Sequence, residues 1–456
     1  MSSWIKYFLI LLSGGVFALA DTAPFGVVRA RVGNLKDNAY AVAVQFDGKI
    51  LTAGASFNGV DSDVVLVRYL PDGSVDRMFG EGGATVLDSE KGDDKGYALS
   101  LGWDGKIYLA GQVHNGRDSD FALWRFTSNG KLDRGFGMRG AAHLDFGHGN
   151  DIAYSVWLQN DGKILVGGVA DSGKDRDFAL ARFLASGMPD PGFGYNGKLM
   201  TAFGDKNSRS GDDTAYALLL QPDGKIVLTG YSEVGSTSVM AIVRYLSDGR
   251  LDQSFGEQGF TTPYFGRQDR AYTALLDSQG RILIGGLSSD GRRADFAVVR
   301  LKPSGSIDRY FGTGGIATVS MSGNLDTVYG LGITEQGEII AAGSSATLSQ
   351  GMNLAITRLT AGGSLDTSFG NQGRVLLPGE GKFGAAYGVA VQSDGKILAA
   401  GVSSHGDGFQ IALARYERTG VLDNTFGLGT RAMQAARDTE KKAATADMGF
   451  GGLIPY

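Results

Sequence analysis

Short runs of alternating apolar and polar residues recur along the chain, and each run is closed by glycine or another turn former. The first full unit contains YAVAV, KILTAGA, DVVLVRYL and GATVL in succession. Runs of this length with a period of two predict β-strands rather than helices. Each unit is therefore predicted to be a four-stranded antiparallel meander, whose strands we name A, B, C and D in chain order.

Paired turn residues separate strands A and B in every unit. Such pairs between apolar runs predict tight hairpins. Asp-Gly stands at 47–48, 104–105, 161–162, 223–224 and 394–395, and Gln-Gly at 279–280 and 336–337.

Two aromatic markers give the number of units. The first is a phenylalanine that precedes glycine, at steps of 57, 57, 62, 56, 58 and 57 residues: Phe79, Phe136, Phe193, Phe255, Phe311, Phe369 and Phe426. The second is a tyrosine near the start of strand A: Tyr40, Tyr97, Tyr154, Tyr216, Tyr272, Tyr329 and Tyr387. Self-similarity with this period indicates seven copies of one supersecondary unit.

Strand A indicates how the units pack. One face carries large residues such as Val42 and Val44, and the other carries small ones such as Ala41 and Ala43. A large face on the small face of the next unit fills space without strain. Trp157 and Leu219 break this pattern on the small side, where local repacking is expected. Units stacked in this way form an open array or a closed propeller.

The chain ends decide between these two architectures. The last unit supplies strands A, B and C, but the sequence after Phe426, FGLGTRAMQAARD, has no alternating strand. The N-terminal stretch FGVVRARVG, residues 25–33, is a strand D without a unit of its own. The predicted fold is therefore all-β, a seven-bladed β-propeller closed when the N-terminal strand completes the last blade, which also removes an exposed edge.

The consensus of the units, AYAVAVQxDGKILxAGxSxxxxxDFALARYxxDGSLDxSFGxxG, resembles the delta-60 repeat family. The resemblance covers residues 25 to 430 in every unit, with local departures at STSVMAIVRY in the fourth and GMNLAITRL in the sixth. It implies a β-propeller of an exported or surface protein, mainly bacterial. It carries no general catalytic motif.

Composition and the terminal segments set the domain limits. The chain has 456 residues, 43% of them hydrophobic, and no cysteine, so its stability must come from packing rather than disulfides. Residues 1–20 read as a cleavable signal peptide ending in Ala18-Leu19-Ala20, with a membrane anchor as the alternative. We expect the propeller to span residues 21–429, and 430–456 to be a tail, part helical or disordered. The protein is expected to be exported, either periplasmic or secreted, without a membrane span.

An arginine in strand C precedes an aspartate by eight residues in all seven units. Seven identical active sites in one chain are implausible, so we interpret each pair as a charge-assisted contact across the C-to-D turn. The pairs are Arg68 and Asp76, Arg125 and Asp133, Arg182 and Asp190, Arg244 and Asp252, Arg300 and Asp308, Arg358 and Asp366, and Arg415 and Asp423.

The B-to-C and D-to-A connections vary between units and share one face of the predicted disc, so binding is expected there. Three B-to-C loops carry paired aspartates: Asp61 and Asp63, Asp118 and Asp120, Asp175 and Asp177. The D-to-A connections add Asp93, Asp94, Asp151, Asp212 and Asp213. No complete calcium-loop signature is present, so no cofactor is expected, with Ca²⁺ at these oxygen ligands as the alternative. Solvated turn residues or an acidic rim that meets a partner are the other interpretations.

The remaining candidates for chemistry are histidines and tryptophans. His114, His143, His148 and His405 lack metal-binding spacing, although His114 and His148 could meet across neighbouring loops. Trp103, Trp124 and Trp157 fall in the units that carry the acidic loops and could hold a sugar or belong to the core.

The sequence thus predicts an exported binding or scaffolding module. Its partner is a protein or glycan of the cell envelope, held by the variable loop face at Asp61, Asp63, His114, Asp118, Asp120, His148, Asp175 and Asp177. A net charge of −5 without long basic runs argues against nucleic acid. The alternative is an envelope hydrolase or lyase with its active site at the mouth of the central channel.

Overall fold

The computed structural model describes residues 26–33, 36–89, 91–203, 210–321, 324–347, 351–377, 384–405 and 408–428. The predicted signal peptide at 1–20 and the predicted tail at 430–456 lie outside the described residues.

The described residues form seven four-stranded units, and every unit runs in the predicted order A, B, C, D. Blade 1 comprises β2 (Asp37–Val44), β3 (Ile50–Phe57), β4 (Ser62–Tyr69) and β5 (Ala84–Leu87), and blade 2 comprises β6 (Lys95–Leu101), β7 (Ile107–His114), β8 (Ser119–Phe126) and β9 (Ala141–Leu144). Blade 3 comprises β10 (Ile152–Leu158), β11 (Ile164–Asp171), β12 (Arg176–Phe183) and β13 (Lys198–Thr201). Blade 4 comprises β14 (Ser210–Leu220), β15 (Ile226–Val234), β16 (Thr237–Tyr245) and β17 (Phe260–Thr261).

Blades 5 to 7 complete the set. They comprise β18 (Gln268–Leu276), β19 (Ile282–Ser289), β20 (Ala294–Leu301) and β21 (Ile316–Val319); β22 (Leu325–Ile333), β23 (Ile339–Thr347), β24 (Gly351–Leu359) and β25 (Arg374–Leu377); and β26 (Gly384–Val391), β27 (Ile397–His405), β28 (Gly408–Tyr416) and, from the N-terminus, β1 (Val27–Ala30).

The predicted closure of the ring is confirmed. Strand β1 pairs antiparallel with β28, with Val27 opposite Ala414 and Ala30 opposite Ile411, and blade 7 has the sheet order β1-β28-β27-β26. The amide of Arg415 also donates to the carbonyl oxygen of Gly26 at 2.9 Å. The first described strand therefore covers an edge that strand C of the last blade would otherwise leave open.

Hydrophobic cores lie between blades rather than within them. Each of the seven interfaces between neighbouring blades has its own cluster of buried apolar side chains, formed by the facing surfaces of two sheets. The cluster between blades 7 and 1 joins Val28 and Ile411 to Ile50 and Val65, all of them 3% exposed or less. The ring thus has no terminal blade that needs a polar cap.

Strands A are innermost, and their small faces allow this close packing. A Cβ added to Gly330 of blade 6 would lie 3.1 Å from Cγ1 of Val389 in blade 7, and one added to Gly388 would lie 3.0 Å from the amide of Val42 in blade 1. Leu219, which breaks the pattern, is buried in the core between blades 4 and 5. Trp157, the other exception, remains 38% exposed.

The seven arginine–aspartate pairs form the predicted contact and also link neighbouring blades. In every pair the arginine Nε donates to the aspartate Oδ2 at 2.7–2.9 Å. In every case Nη1 donates to a carbonyl oxygen in the C-to-D turn of the next blade, at 2.5–2.9 Å. We call this arrangement the arginine clamp, and it joins two blades as well as two strands.

The phenylalanine marker completes the clamp. Each guanidinium lies 4.3–5.0 Å from the ring centre of the marker phenylalanine in its own unit. The same ring packs against a turn glycine of the next blade: Gly130, with φ of +84°, would place a Cβ 2.6 Å from the ring of Phe79. Only glycine fits there, because the backbone is left-handed and the ring leaves no room for a side chain.

No helix in the described part of the chain has the length and apolar character needed to cross a membrane.

Candidate binding surface on the loop face

The connections between strands divide between the two faces of the disc as predicted. The B-to-C and D-to-A connections share one face, which we call the loop face. The A-to-B and C-to-D turns share the other, which we call the turn face. Hydrogen bonds such as Asp94 N to Ser62 O at 2.7 Å and Asp151 N to Ser119 O at 2.7 Å tie the loops of neighbouring units together.

The paired aspartates of blades 1 and 2 occupy equivalent positions. One member is half-buried in the loop (Asp61 or Asp118), and the other is buried at the start of strand C (Asp63 or Asp120). In blade 1 the side-chain amide of Asn58 donates to both, at 2.7 Å to Asp61 and 3.1 Å to Asp63. An asparagine bridges the pair in blade 2 at nearly the same distances. These carboxylates are positioned by the loop and are not freely solvated.

The third pair differs, because a serine replaces the bridging asparagine. Ser172 donates to Asp175 Oδ1 at 2.8 Å, while Asp177 is buried at the start of β12. Burial and the nearby Asp175 charge raise the pKa of Asp177 above its ordinary value.

The two predicted histidines lie against different loops. The His114 ring packs beside Gly92, and its Nδ1 accepts a hydrogen bond from the amide of Gly116 at 3.1 Å. The exposed His148 packs beside Gly173 in the next blade. The described contacts therefore do not bring the two rings together. His143 is exposed on β9, and the side chain of His405 lies outside the described residues.

Three of the aspartates that we placed on the D-to-A connections are structural, which corrects the interpretation of them as rim or solvated residues. Asp94, Asp151 and Asp213 are at most 2% exposed. Each accepts a hydrogen bond from the backbone amide two residues after the preceding strand D, such as Phe203 N to Asp213 Oδ2 at 2.6 Å. The same position, three residues before the marker tyrosine, is a buried aspartate in six of the seven units: Asp37, Asp94, Asp151, Asp213, Asp269 and Asp326. Asp93 and Asp212 remain half-buried at the surface.

Burial shifts the protonation of several of these groups. It raises the pKa of Asp213 to about 7, against the hydrogen bond from Phe203 that favours the charged form. It also raises the pKa of Asp151 to about 7, with added repulsion from Asp145 and Asp120. Burial and then repulsion by Asp88 raise the pKa of Asp63 to about 6.

The raised pKa of Asp213 predicts a loss of stability with rising pH. The folded state holds a proton that the unfolded chain releases near its ordinary value of 3.8, so this contribution is lost as pH rises from about 4 through about 7. Asp213→Asn should remove that dependence and raise the free energy of unfolding at pH 8 by at least about 1 kcal/mol, since one pKa unit corresponds to about 1.4 kcal/mol. Urea unfolding at pH 5 and pH 8 measures both effects. The exposed Asp223→Asn is the control, and an unchanged pH dependence in Asp213→Asn would contradict the assignment.

The marker tyrosines line the central channel, a role that the sequence did not reveal. Each stands at a β-bulge in strand A, and each ring contacts the next with centroids 4.7–5.5 Å apart, closing a circle of seven. The register shifts by one residue at every tyrosine. Burial raises the pKa of Tyr154 and Tyr272 to about 12, so these hydroxyls stay neutral near pH 7.

A cleft of about 360 Å³ lies on the loop face between blades 2 and 3. It brings His114 and Asp93 close to Arg176 of the next blade, and Gln112, Ser119 and Asn150 complete its polar wall. Asp93 already accepts from Lys95 Nζ and the amide of Ser62, both at 2.9 Å. The cleft is therefore polar and internally hydrogen-bonded.

The turn face carries an exposed aromatic pair. Phe46 and Trp103 occupy the same position in the A-to-B turns of blades 1 and 2, and they are 77% and 84% exposed. Their rings are stacked, with centroids 5.4 Å apart and planes at 20°. Trp124 is a core residue, whereas Trp103 lies on the face opposite the acidic loops.

A second cleft on the turn face, about 560 Å³ in volume, lies between blades 6 and 7. Its wall includes Glu338, which replaces the lysine or arginine that follows the A-to-B turn in the other six units. Glu338 lies 3.8 Å from the clamp arginine Arg358, and the exposed Arg418 stands on the opposite side. This charge reversal was visible in the sequence, but nothing there indicated a cavity.

These observations define a seven-bladed β-propeller with a cluster of carboxylates on the loop face of blades 1 to 3. A family model described as "Domain of unknown function (DUF5122) beta-propeller" matches seven segments, one in each unit. The chain belongs to this family. The matched residues are 45–79, 104–136, 159–193, 221–255, 278–311, 337–369 and 392–426.

Solved structures show likeness in fold only. The polysaccharide lyase Uly1 is 12% identical with a TM-score of 0.49, over 84% of this chain and 91% of that one. Trypanosoma rangeli sialidase is 10% identical with a TM-score of 0.41, over 97% of this chain and 62% of that one. A glucose dehydrogenase is 13% identical with a TM-score of 0.29, over 58% of this chain and 96% of that one. At such low identity, the substrates of these proteins say nothing about the ligand of this chain. No curated protein matches it significantly.

Proposed function

We propose that the protein is an exported binding module that holds an envelope partner on the loop face of blades 1 to 3. The observation that carries this proposal is the concentration of surface carboxylates on three neighbouring blades. They are half-buried or exposed at the ends of strands and in loops: Asp61, Asp88, Asp93, Asp118, Asp145, Asp175 and Asp212. We call this region the acidic sector.

The charge of the loop face changes sign around the ring, which supports an oriented partner. Blade 5 presents the exposed side chains of Arg267, Arg292 and Arg293 on the same face. Some carboxylates of the acidic sector are offset by neighbours, such as Asp93 by Lys95 and Asp118 by Arg117, both at 2.9 Å. Complementary potentials of this kind speed association and select orientation more than they add affinity. A protein with a basic surface is the partner that this pattern fits best.

A glycan partner is the second candidate, and a different observation supports it. The stacked rings of Phe46 and Trp103 are the exposed aromatic pair at the turn face, flanked by the ion pairs Asp47–Lys49 and Asp104–Lys106. Aromatic surfaces next to polar groups can hold the apolar face of a sugar ring. This candidate places the site opposite the acidic sector, so the two candidates are separable by mutation.

Membership of the delta-60 repeat family, export after Ala20 and the domain limits of 21–429 and 430–456 belong to the same proposal. The unit consensus and the apolar N-terminal segment support them. A hydrolase or lyase at the channel mouth is the remaining alternative, and turnover of a glycan by the purified protein would favour it over a binding module.

The test compares three proteins that begin at Asp21: the parent, a charge variant and an aromatic variant. The charge variant carries Asp→Asn changes at 61, 93, 118, 175 and 212, which spares the buried aspartates. The aromatic variant carries Phe46→Ala and Trp103→Ala. Each is used to capture partners from envelope extract at low and high salt, and each is applied to a glycan array.

We expect a protein that the parent and the aromatic variant retain and the charge variant loses, with binding that weakens as salt rises. Equal retention by the charge variant would contradict the acidic sector as the site. Glycan binding lost only in the aromatic variant would move the site to the turn face.

A further inference from the structure

We propose that blades 1 and 2 each bind a divalent cation of the Ca²⁺ type between a B-to-C loop and the end of strand D. The two sites are built from carboxylates that are distant in sequence. Site 1 consists of Asp61, Asp63 and Asp88, and site 2 consists of Asp120, Asp145 and Asp151. Within each site, one oxygen from every residue lies within 4.8 Å of the other two.

The fold brings these residues together in the same way in both blades. Asp63 and Asp120 begin strand C, and Asp88 and Asp145 follow strand D directly. Because strands C and D are paired, with Val64 opposite Leu87 and Phe121 opposite Leu144, the two ends meet on the loop face. Sequence spacing alone shows only the loop pairs and misses this cross-strand partner.

One carboxylate in each site is sealed from water and incompletely hydrogen-bonded. Asp63 is 5% exposed and Asp120 is 9% exposed. Their Oδ2 atoms accept from Asn58 and Asn115, but among the described residues neither Oδ1 has a hydrogen-bond partner. A buried carboxylate oxygen without a donor is costly unless a cation or a proton compensates it.

The charges around these two carboxylates are mostly negative. Asp88, Asp61 and Asp94 repel Asp63, and Asp145 and Asp118 repel Asp120, while His143, whose own pKa burial lowers, acts on Asp120 in the opposite sense. Burial and this repulsion raise the pKa of both groups. A bound cation removes the repulsion that the folded chain otherwise carries at neutral pH.

The ligand type suits a hard divalent cation, because all three groups in each site are carboxylates. Ca²⁺ accepts irregular arrangements of oxygen ligands at about 2.3–2.6 Å, whereas Mg²⁺ needs near-octahedral geometry at about 2.0–2.1 Å. Three carboxylate oxygens leave several positions for water, which is typical of weak sites with dissociation constants of about 10⁻⁴–10⁻³ M. In blade 2 Asp118 is paired with Arg117 at 2.9 Å, and the third carboxylate of the site is Asp151, which also accepts from the amides of Phe146 and Asp171.

Blade 3 provides a natural comparison within the same chain. It keeps the aspartate pair Asp175 and Asp177, but Ala202 occupies the position of Asp88 and Asp145 after strand D. No three-carboxylate group forms there among the residues that the structure describes. The residue after strand D thus decides whether a blade can hold the ion.

The experiment copies this comparison onto blades 1 and 2. Asp88→Ala and Asp145→Ala are made singly and together in the chain from Asp21, and Asp175→Asn serves as the matched control in blade 3. Both targets are exposed, so the variants should fold, which circular dichroism verifies. After chelator treatment, CaCl₂ and MgCl₂ titrations by calorimetry give the stoichiometry, and thermal melting gives the change in Tm.

We expect two Ca²⁺ per chain for the parent and the control, one for each single variant and none for the double variant. Ca²⁺ should raise the Tm of the parent and leave the double variant unchanged, and Mg²⁺ should bind at least tenfold more weakly. The absence of Ca²⁺ binding up to 10 mM, or an unchanged stoichiometry in the folded double variant, would overturn the proposal. Binding lost in Asp175→Asn would also contradict it.

Discussion

Removal of the N-terminal strand is expected to open the propeller. A chain that begins after Gly33 lacks β1, so blade 7 keeps three strands and the outer edge of β28 is exposed. Val27, Val28 and Ala30 are 5% exposed or less, and burying a valine contributes about 1.5–3 kcal/mol. The lost burial and ladder hydrogen bonds amount to more than about 4 kcal/mol, a large part of the 5–15 kcal/mol that stabilises a typical domain.

Thermal melting and size-exclusion chromatography check this prediction against the chain that begins at Asp21. The shortened chain should melt at lower temperature and self-associate, because an unpaired strand edge is a template for pairing with another chain. A synthetic peptide of residues 21–33 should restore the Tm by occupying the vacant strand. An equally stable monomer without β1 would show that closure contributes little. Val60→Asp, at a position that is 86% exposed, is the control for a surface substitution and should leave the Tm unchanged.

The closure could be predicted because it follows from counting. Seven sets of strands A, B and C require seven strands D, and only the stretch around Val27 to Ala30 was available for the last. The number of units rests on markers that are fixed by steric demands, such as the phenylalanine that fits a turn glycine of the next blade. In this repeat sequence each steric demand is visible seven times, whereas a sequence without repeats shows it once.

The tyrosine ring shows where pattern reasoning failed. Tyr40 and its six counterparts were visible as markers in the sequence. A bulge at each one breaks the strict alternation of side chains between the two faces of strand A, from which a face would be assigned. Without the bulge, Tyr40 would be assigned to an interface between blades. Only the backbone register directs the ring to the channel.

The aspartates show a second limit of prediction from sequence, because one residue type serves three roles on the same face. Asp213 holds a backbone amide, Asp175 accepts from a loop serine, and Asp88 completes a three-carboxylate group. The recurrence of aspartate three residues before the tyrosine was a signal that could have separated the first role from the others. The third role depends on cross-strand proximity, which no local pattern contains.

The repeated stabilising contacts and the surface carboxylates of the proposed binding site lie on different sides of each unit. The clamp, the marker phenylalanine and the turn glycine are repeated on the turn side of all seven blades, while the loop-face carboxylates vary from blade to blade. Trp103 and Glu338 depart from the repeated pattern of the turn face.

The loss of one arginine clamp is expected to destabilise the fold by about 3–5 kcal/mol, because it leaves a buried charge without its partner. Arg182 and Asp190 have side chains 9% and 7% exposed, and Nε lies 2.8 Å from Oδ2. Arg182 also donates to Ser247 O in the next blade and lies 4.4 Å from the ring centre of Phe193. Although burial alone would raise it, hydrogen bonds from Gly192, Lys163 and Arg182 hold the pKa of Asp190 below its ordinary value.

A double-mutant cycle with Arg182→Ala and Asp190→Ala measures the coupling through urea unfolding. The double variant should be less destabilised than the sum of the two single variants, since neither Arg182 nor Asp190 is then left buried without the other. It should nevertheless remain less stable than the parent, because the contacts of Arg182 with Ser247 and Phe193 are lost as well.

Arg250→Ala is the matched control, since Arg250 and Asp248 form a 2.7 Å pair with side chains 77% and 45% exposed. An exposed pair of this kind contributes about 0–1 kcal/mol. Additive losses at Arg182 and Asp190, or a loss at Arg250 as large as that at Arg182, would show that burial and the link between blades do not set the strength of the clamp.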